Sequence, residues 1–313
     1  MLDPEAVQIL EAMVAAGIRP LEEMSIAEAR AMVAEAAPAE VERVSMVEDH
    51  DVPGPRGAIP VRVFYPSERP GPAVAVYLHG GGWVLSGAAT HDASYRALAN
   101  RAGCAIVSVE YRLAPEHRFP AAFDDAYAAT CWVAKHWARQ WGDDVRLGIA
   151  GDSAGGNLAA AVCLRARDER GPRIDHQVLI YPALDADLTR PEVVEDADDP
   201  RLLLTAATLN HLWNQYLASA ADAANPYAAP LRAGSFAGLP SAFVITAGYD
   251  PLCAEGEAYG AELARAGVAV RMSRYPGMFH GFFAMTPVLG AAEQAVDEVA
   301  GSLREALRVD ASV

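Results

Sequence analysis

The sequence predicts an α/β fold: one mostly parallel sheet with helices on both faces and a helical insertion. Three observations lead there. First, from Ala73 onward short apolar runs recur, "AVAVYL", "AIVSVEY", "RLGIAG", "QVLIYP", "AFVITAG" and "VAVRMSRY", most of them rich in β-branched residues. Near-continuous apolar strands are those buried on both faces, as in parallel sheets. Second, segments with helical character separate most of them, at about His91–Ala102, Ala121–Trp141, Ser153–Arg170 and Ala254–Ala266, with a last helix over about Val288–Leu307. Third, no strand signal occurs between Pro182 and Ala242, an interval far longer than an ordinary connection.

Taken in order, residues 1–40 place Val7, Leu10, Met13 and Val14, then Ile26, Ala29, Met32 and Val33, at helical spacing, with Pro20 and Pro38 as breaks. This predicts two helices. Val41–Val47 and Ile59–Phe64 alternate around the turn "DVPGPRG", a hairpin-like pair. The interval 183–235 begins acidic, "LDADLTRPEVVEDADDP", and then turns apolar and helical through Leu204, Leu209, Leu212, Trp213 and Tyr216. The expected organisation is therefore N-terminal cap helices (1–40), an α/β core in two parts (41–182 and 236–313) and an inserted lid (183–235).

Composition removes several function classes. The chain has 313 residues, is 52 % hydrophobic and 21 % charged, and carries a net charge of −16. Lys135 is its one lysine. That field disfavours a nucleic-acid partner. No apolar run is long enough for a membrane span, and the N-terminus lacks the basic and apolar regions of a signal peptide. Cys104, Cys131, Cys163 and Cys253 form no CxxC pair and read as free thiols, so a cytoplasmic location is expected.

The strongest chemical signal is "GIAGDSAGGN". Gly151-Asp152-Ser153-Ala154-Gly155 matches G-x-S-x-G between an apolar strand and an alanine-rich helix. That setting is a nucleophile elbow, with Ser153 on a strained turn and no room for side chains at its glycines. The competing reading, Ser153 as a plain helix cap, fits the context less well. A serine nucleophile needs a base. His280, in "GMFHGF", follows the last strand, where catalytic groups of a parallel sheet gather. Its orienting acid is expected to be Asp250 in "VITAGYDPL", with Asp185 and Asp187 as fallbacks. His136, His176 and His211 look structural or superficial. The triplet in "LHGGGW" has no P-loop lysine and no dinucleotide fingerprint around it. It reads instead as one wall of an oxyanion hole, with the Gly80 and Gly81 amides and the Ala154 amide as donors. His79 is expected to brace that loop. No metal or cofactor is called for.

Together, "HGGGWVLSG", "YRLAPEHRFPAAFDD", "GDSAGGN", "YDPLCAEG" and "FHGF" resemble the hormone-sensitive-lipase-like esterases, the bacterial family IV carboxylesterases of the α/β-hydrolase fold, over about Ala73–Phe283. The resemblance maps Ser153, Asp250 and His280 onto the triad, and Gly80, Gly81 and Ala154 onto the oxyanion hole. It also implies the subgroup with aspartate before the nucleophile. Cys253 departs from it, where many relatives carry arginine. It implies a carboxylesterase acting on small esters and a homodimer through the last strand, and the cap is expected to limit the acyl group to short or medium length. Trp83, Leu204, Trp213 and Phe282 are candidate pocket residues, or else core. Amidase or lactonase chemistry with the same triad stays open, as does a non-catalytic receptor on this fold.

Overall fold

The computed structural model describes residues 1–35, 41–66, 71–85, 87–188, 199, 201–286 and 288–308. In chain order its elements are α1 (Pro4–Ala15), α2 (Ile26–Glu35), β1 (Met46–Gly54), β2 (Gly57–Tyr65), β3 (Ala73–Leu78) and α3 (Asp92–Ala102). Then come β4 (Ala105–Val109), α4 (Ala121–Trp141), β5 (Arg146–Asp152), α5 (Ala154–Asp168), β6 (His176–Ile180) and α6 (Ala206–Tyr216). The chain closes with β7 (Ser241–Tyr249), α7 (Cys253–Arg265), β8 (Val270–Phe279) and α8 (Gly290–Ala306).

The strands form one eight-stranded sheet in the order β1-β2-β4-β3-β5-β6-β7-β8. The pairs β1–β2 and β2–β4 are antiparallel, and every later pair is parallel. The chain runs outward from β3 in both directions, to β4 on one side and to β5 on the other. That reversal opens a crevice beyond the carboxyl ends of β3 and β5, the place where ligands bind in open α/β sheets. β3 is buried at every position, and its alternation divides the core. Val74, Val76 and Leu78 face the side covered by α4, α5 and α7, whereas Ala73, Ala75 and Tyr77 face the side covered by α3 and α8.

Two strand expectations are corrected. The first strand is not Val41–Val47. It starts at Met46 and runs through Asp51-Val52-Pro53, with the turn at Pro55-Arg56, because Gly54 pairs with Gly57. Pro53 is tolerated there because β1 is an edge strand. The last strand continues to Phe279 and is half exposed, with Met272 43 % accessible, because among the described residues β7 is the one strand that β8 pairs with.

Residues 183–235 contribute α6 and short 3-10 turns at Ala220–Ala224 and Pro230–Arg232, while most of the acidic run 184–200 lies outside the described residues. Thr205 caps α6 by accepting the Thr208 amide at 3.1 Å. Thr208 in turn donates its hydroxyl to Glu22 at 2.7 Å, which ties this helix to the N-terminal segment. Tyr216 stacks on Trp83 with centroids 4.1 Å apart, and Trp213 lies 4.5 Å from the same ring. The first helices reach the same place. Arg30 of α2 donates to the carbonyls of Val84 (2.9 Å) and Ala114 (3.0 Å) and grips Glu116 with two bonds of 2.8 Å.

Asn157 of α5 anchors both ends of the insertion. Its fully buried amide donates to Ala183 O at 2.7 Å and to Ala228 O at 2.8 Å. Asn157→Ala strands both carbonyls in the core. It is expected to lower stability by about 2–4 kcal/mol, read from urea unfolding.

Candidate active site

The serine turn is built by steric exclusion. β5 ends at Asp152 and α5 begins at Ala154, so Ser153 takes the whole change of direction, with φ 54° and ψ −118°. L-residues rarely adopt that region, and they do so mostly at functional sites. The turn is possible only because its flanks are glycine. A methyl on Gly155 would lie 1.9 Å from Leu78 O, and one on Gly151 would lie 2.3 Å from Gly155 O. Ser153 N–H donates to Ile180 O at 2.8 Å, which fixes the turn against the end of β6.

His280 follows β8 directly. Its Nε2 lies 2.9 Å from Ser153 Oγ, and its Nδ1 lies 2.7 Å from Asp250 Oδ2. A carboxylate only accepts, so Nδ1 carries the proton, which leaves the Nε2 lone pair facing the serine hydroxyl. Asp250 sits just past β7 with its side chain fully buried, and its other oxygen accepts Leu252 N–H at 2.9 Å. With both carboxylate oxygens engaged, the imidazole is held in one orientation. The Tyr181 ring supports it at 4.6 Å. The fallback acids are corrected: Asp185 is buried in a 2.7 Å pair with Arg232, and Asp187 also faces Arg232, so neither is the partner of His280.

The glycine loop departs from expectation at one residue. Gly80 N–H donates to Asp152 Oδ1 at 3.0 Å, so it has no free donor for a substrate oxygen. This removes Gly80 from the expected donors. The Gly81 and Gly82 amides have no protein acceptor among the described residues. Gly82 has φ +61°, and a methyl there would meet Leu212 of α6 at 2.5 Å. Sequence reading passed over Gly82 although the triplet itself carried the signal. Ala154 opens α5 beside the serine, where the amides of a first helical turn have no intrahelical acceptor. His79 braces the loop. Its Nδ1 lies 2.7 Å from Gly80 O, and its ring stacks on Tyr111 at 4.2 Å. Burial pushes its pKa down to about 4, so the ring is neutral.

The four candidate pocket residues do not form one wall. Trp83 and Trp213 pack on each other, and with Leu204 they belong to the core on the α4–α5 side. Phe282 lies in the opposite core, 4.9 Å from Tyr275. The segment Leu202–Leu204 bridges the two, with Leu202 in one core and Leu204 in the other.

A strained serine, a histidine and a buried aspartate aligned at a parallel sheet's switch point define an α/β-hydrolase arrangement. Comparison with known proteins agrees. A family model described as alpha/beta hydrolase fold matches residues 75–284. The esterase LipI of Mycobacterium tuberculosis is 43 % identical over 267 residues, covering 83 % of this chain and 82 % of the relative. The carboxylesterase NlhH of the same organism is 42 % identical over 254 residues, 80 % of this chain and 79 % of its own. The solved structure of an esterase from Pyrobaculum calidifontis superimposes with a TM-score of 0.89 at 40 % identity, covering 97 % of this chain and 99 % of that one. The chain belongs to the α/β-hydrolase fold family, within the hormone-sensitive-lipase-like carboxylic-ester hydrolases.

A second serine–histidine grouping is structural. His176 lies 2.8 Å from both Ser241 Oγ and Ser302 Oγ, but it starts β6 and so sits at the opposite edge of the sheet. Burial lowers its pKa to about 4. The folded state therefore stays unprotonated here while the unfolded chain takes up a proton below about 6.5, so this group loses stability as pH falls from 6.5 towards 4. His176→Asn removes that loss. Its destabilisation is expected to be about 2 kcal/mol smaller at pH 5 than at pH 7 in paired urea titrations.

Proposed function

We propose that the enzyme hydrolyses esters of short to medium acyl chain through Ser153, His280 and Asp250 and an acyl-enzyme intermediate. The hydrogen-bonded chain from Ser153 Oγ through His280 to Asp250, at 2.9 and 2.7 Å, carries this reading. Ser153 Oγ attacks the ester carbonyl as His280 Nε2 takes its proton. Asp250 holds the imidazole and stabilises its charged form. The Gly81, Gly82 and Ala154 amides donate to the oxyanion. His280 then protonates the departing alkoxide, and the alcohol leaves. Water, activated by the same imidazole, cleaves the acyl-enzyme and restores the serine.

The acyl-length preference is supported by the way α6 lies on the glycine loop, with Leu212 against Gly82 and Trp213 against Trp83. On this reading residues 1–40 and 183–235 form a cap over the two-part core 41–182 and 236–313. A homodimer through the outer edge of β8 is supported by that strand's place at the end of the sheet and by exposed Met272. A cytoplasmic location fits the free cysteines, and no helix among the described residues is long and apolar enough to cross a membrane.

Ser153→Ala is expected to fold normally and lose p-nitrophenyl butyrate hydrolysis by about 10³-fold or more. Turnover near that of the wild type in the folded variant overturns the mechanism. An acyl series from acetate to palmitate should show kcat/KM collapsing beyond medium chains.

A further inference from the structure

Asp152 stands next to the nucleophile, but its carboxylate serves the glycine loop. Oδ1 accepts the Gly80 amide at 3.0 Å and the Tyr77 hydroxyl at 3.1 Å, and Oδ2 lies 3.4 Å from His91 Nε2. Because a carboxylate has no proton to give, Nε2 is the donor of that contact. On the far side of the ring, Nδ1 lies 2.9 Å from Thr90 Oγ1, and that hydroxyl donates to Gly87 O at 2.8 Å. With the hydroxyl proton on Gly87 O, Thr90 Oγ1 accepts from a protonated Nδ1, so both ring nitrogens have acceptors and the surroundings suit an imidazolium. The two side chains are only 6 % and 7 % exposed. The other rings around His91 are Tyr77, Tyr95 and His79. Burial alone would discharge His91, but the field of Asp152, reinforced by Glu110, holds its pKa above the ordinary histidine value. Burial likewise opposes ionisation of Asp152, and the facing His91 keeps its carboxyl below the usual range.

We propose that His91, acting through Asp152, is a positioning residue for ester hydrolysis: a buried cation that neutralises the carboxylate fixing the glycine loop. This rests on the role given above to Ser153 and that loop. The loop needs Asp152, since Gly80 N–H has to be held for the Gly81 and Gly82 amides to converge. Yet an uncompensated carboxylate beside the nucleophile would repel the oxyanion formed in the transition state. The imidazolium removes the repulsion and leaves the hydrogen bond in place.

A double-mutant cycle tests this. His91→Gln keeps an amide donor towards Asp152 and removes the charge. With p-nitrophenyl butyrate its kcat should fall about 10- to 100-fold while KM stays within about threefold. Inhibition by a trifluoromethyl ketone, which forms a tetrahedral adduct with the serine, should weaken by a similar factor. His91→Gln combined with Asp152→Asn leaves a neutral pair and should recover most of the lost kcat. Wild-type kcat in His91→Gln, or a double variant no better than the single, overturns the proposal. If His91→Gln does not fold, nitrogen NMR of the wild type at pH 7 decides: a doubly protonated His91 ring supports it and a neutral ring overturns it. Ser153→Ala keeps the two readings apart. Loss of turnover there beside an unimpaired His91→Gln defeats only this proposal, whereas retained turnover defeats the mechanism beneath it.

Discussion

The molecule depends on one close approach, the first turn of α5 against the end of β3. At Gly155 the helix backbone passes so near the Leu78 carbonyl that a single methyl would lie 1.9 Å from that oxygen. The same residue leaves no room for a side chain on Gly151. This contact sits at the switch point of the sheet and joins the two loops that matter. Leu78 leads directly into the glycine loop, and Gly155 closes the serine turn. Their spacing sets how far Ser153 Oγ stands from the loop amides. Hydrolysis needs that spacing to be stable to a fraction of an ångström, and a backbone contact inside the core supplies it better than flexible side chains would.

The outer elements serve the same joint. α2 and α6 are remote in sequence, yet both end on residues 82–85. Arg30 holds the Val84 carbonyl, Leu212 fills the space above Gly82, and Tyr216 stacks on Trp83. Trp83 has φ 60°, an uncommon conformation for a bulky residue. Burial of its ring between loop and helix offsets that strain. The aromatic cluster thus fixes the loop from above, as Asp152 fixes it from below. It also explains why Trp83 and Trp213 are core and do not form an open pocket wall.

The parts legible in sequence were those written in local pattern. The strand–turn–helix setting of Ser153, the β7 and β8 edge positions of Asp250 and His280, and the parallel strands all follow from periodicity and from glycine placement. What escaped reading depends on contacts between distant segments. The donors within the glycine triplet cannot be ranked without knowing that Asp152 reaches Gly80. The extent of β1 hides because its edge position tolerates Pro53, which normally argues against a strand. Apolar patterning marks Phe282 and Trp83 alike as buried, but it cannot say that they lie on opposite sides of the sheet. Aspartate before the serine is visible as a letter, and its partner His91 is sixty-one residues away.

Two histidines beneath the loop show how environment assigns charge. His79 and His91 have ring centroids 6.1 Å apart, and both are buried. Burial disfavours the cation in each. Of the two, among the described residues, only His91 pairs directly with a carboxylate; the field of Asp152 also reaches His79 but does not offset its burial. His79 gives its Nδ1 proton to the adjacent Gly80 carbonyl and stacks on Tyr111, so it stays neutral. Its neutrality is reinforced by the neighbouring cation, since two positive rings so close would repel. A cation at His79 in place of His91 would sit within the loop and pull on its carbonyl dipoles. Charging the more distant ring balances Asp152 while leaving the loop held by neutral hydrogen bonds. The amides of the loop then present their own dipoles to the reacting oxygen, undistorted by a net charge below them.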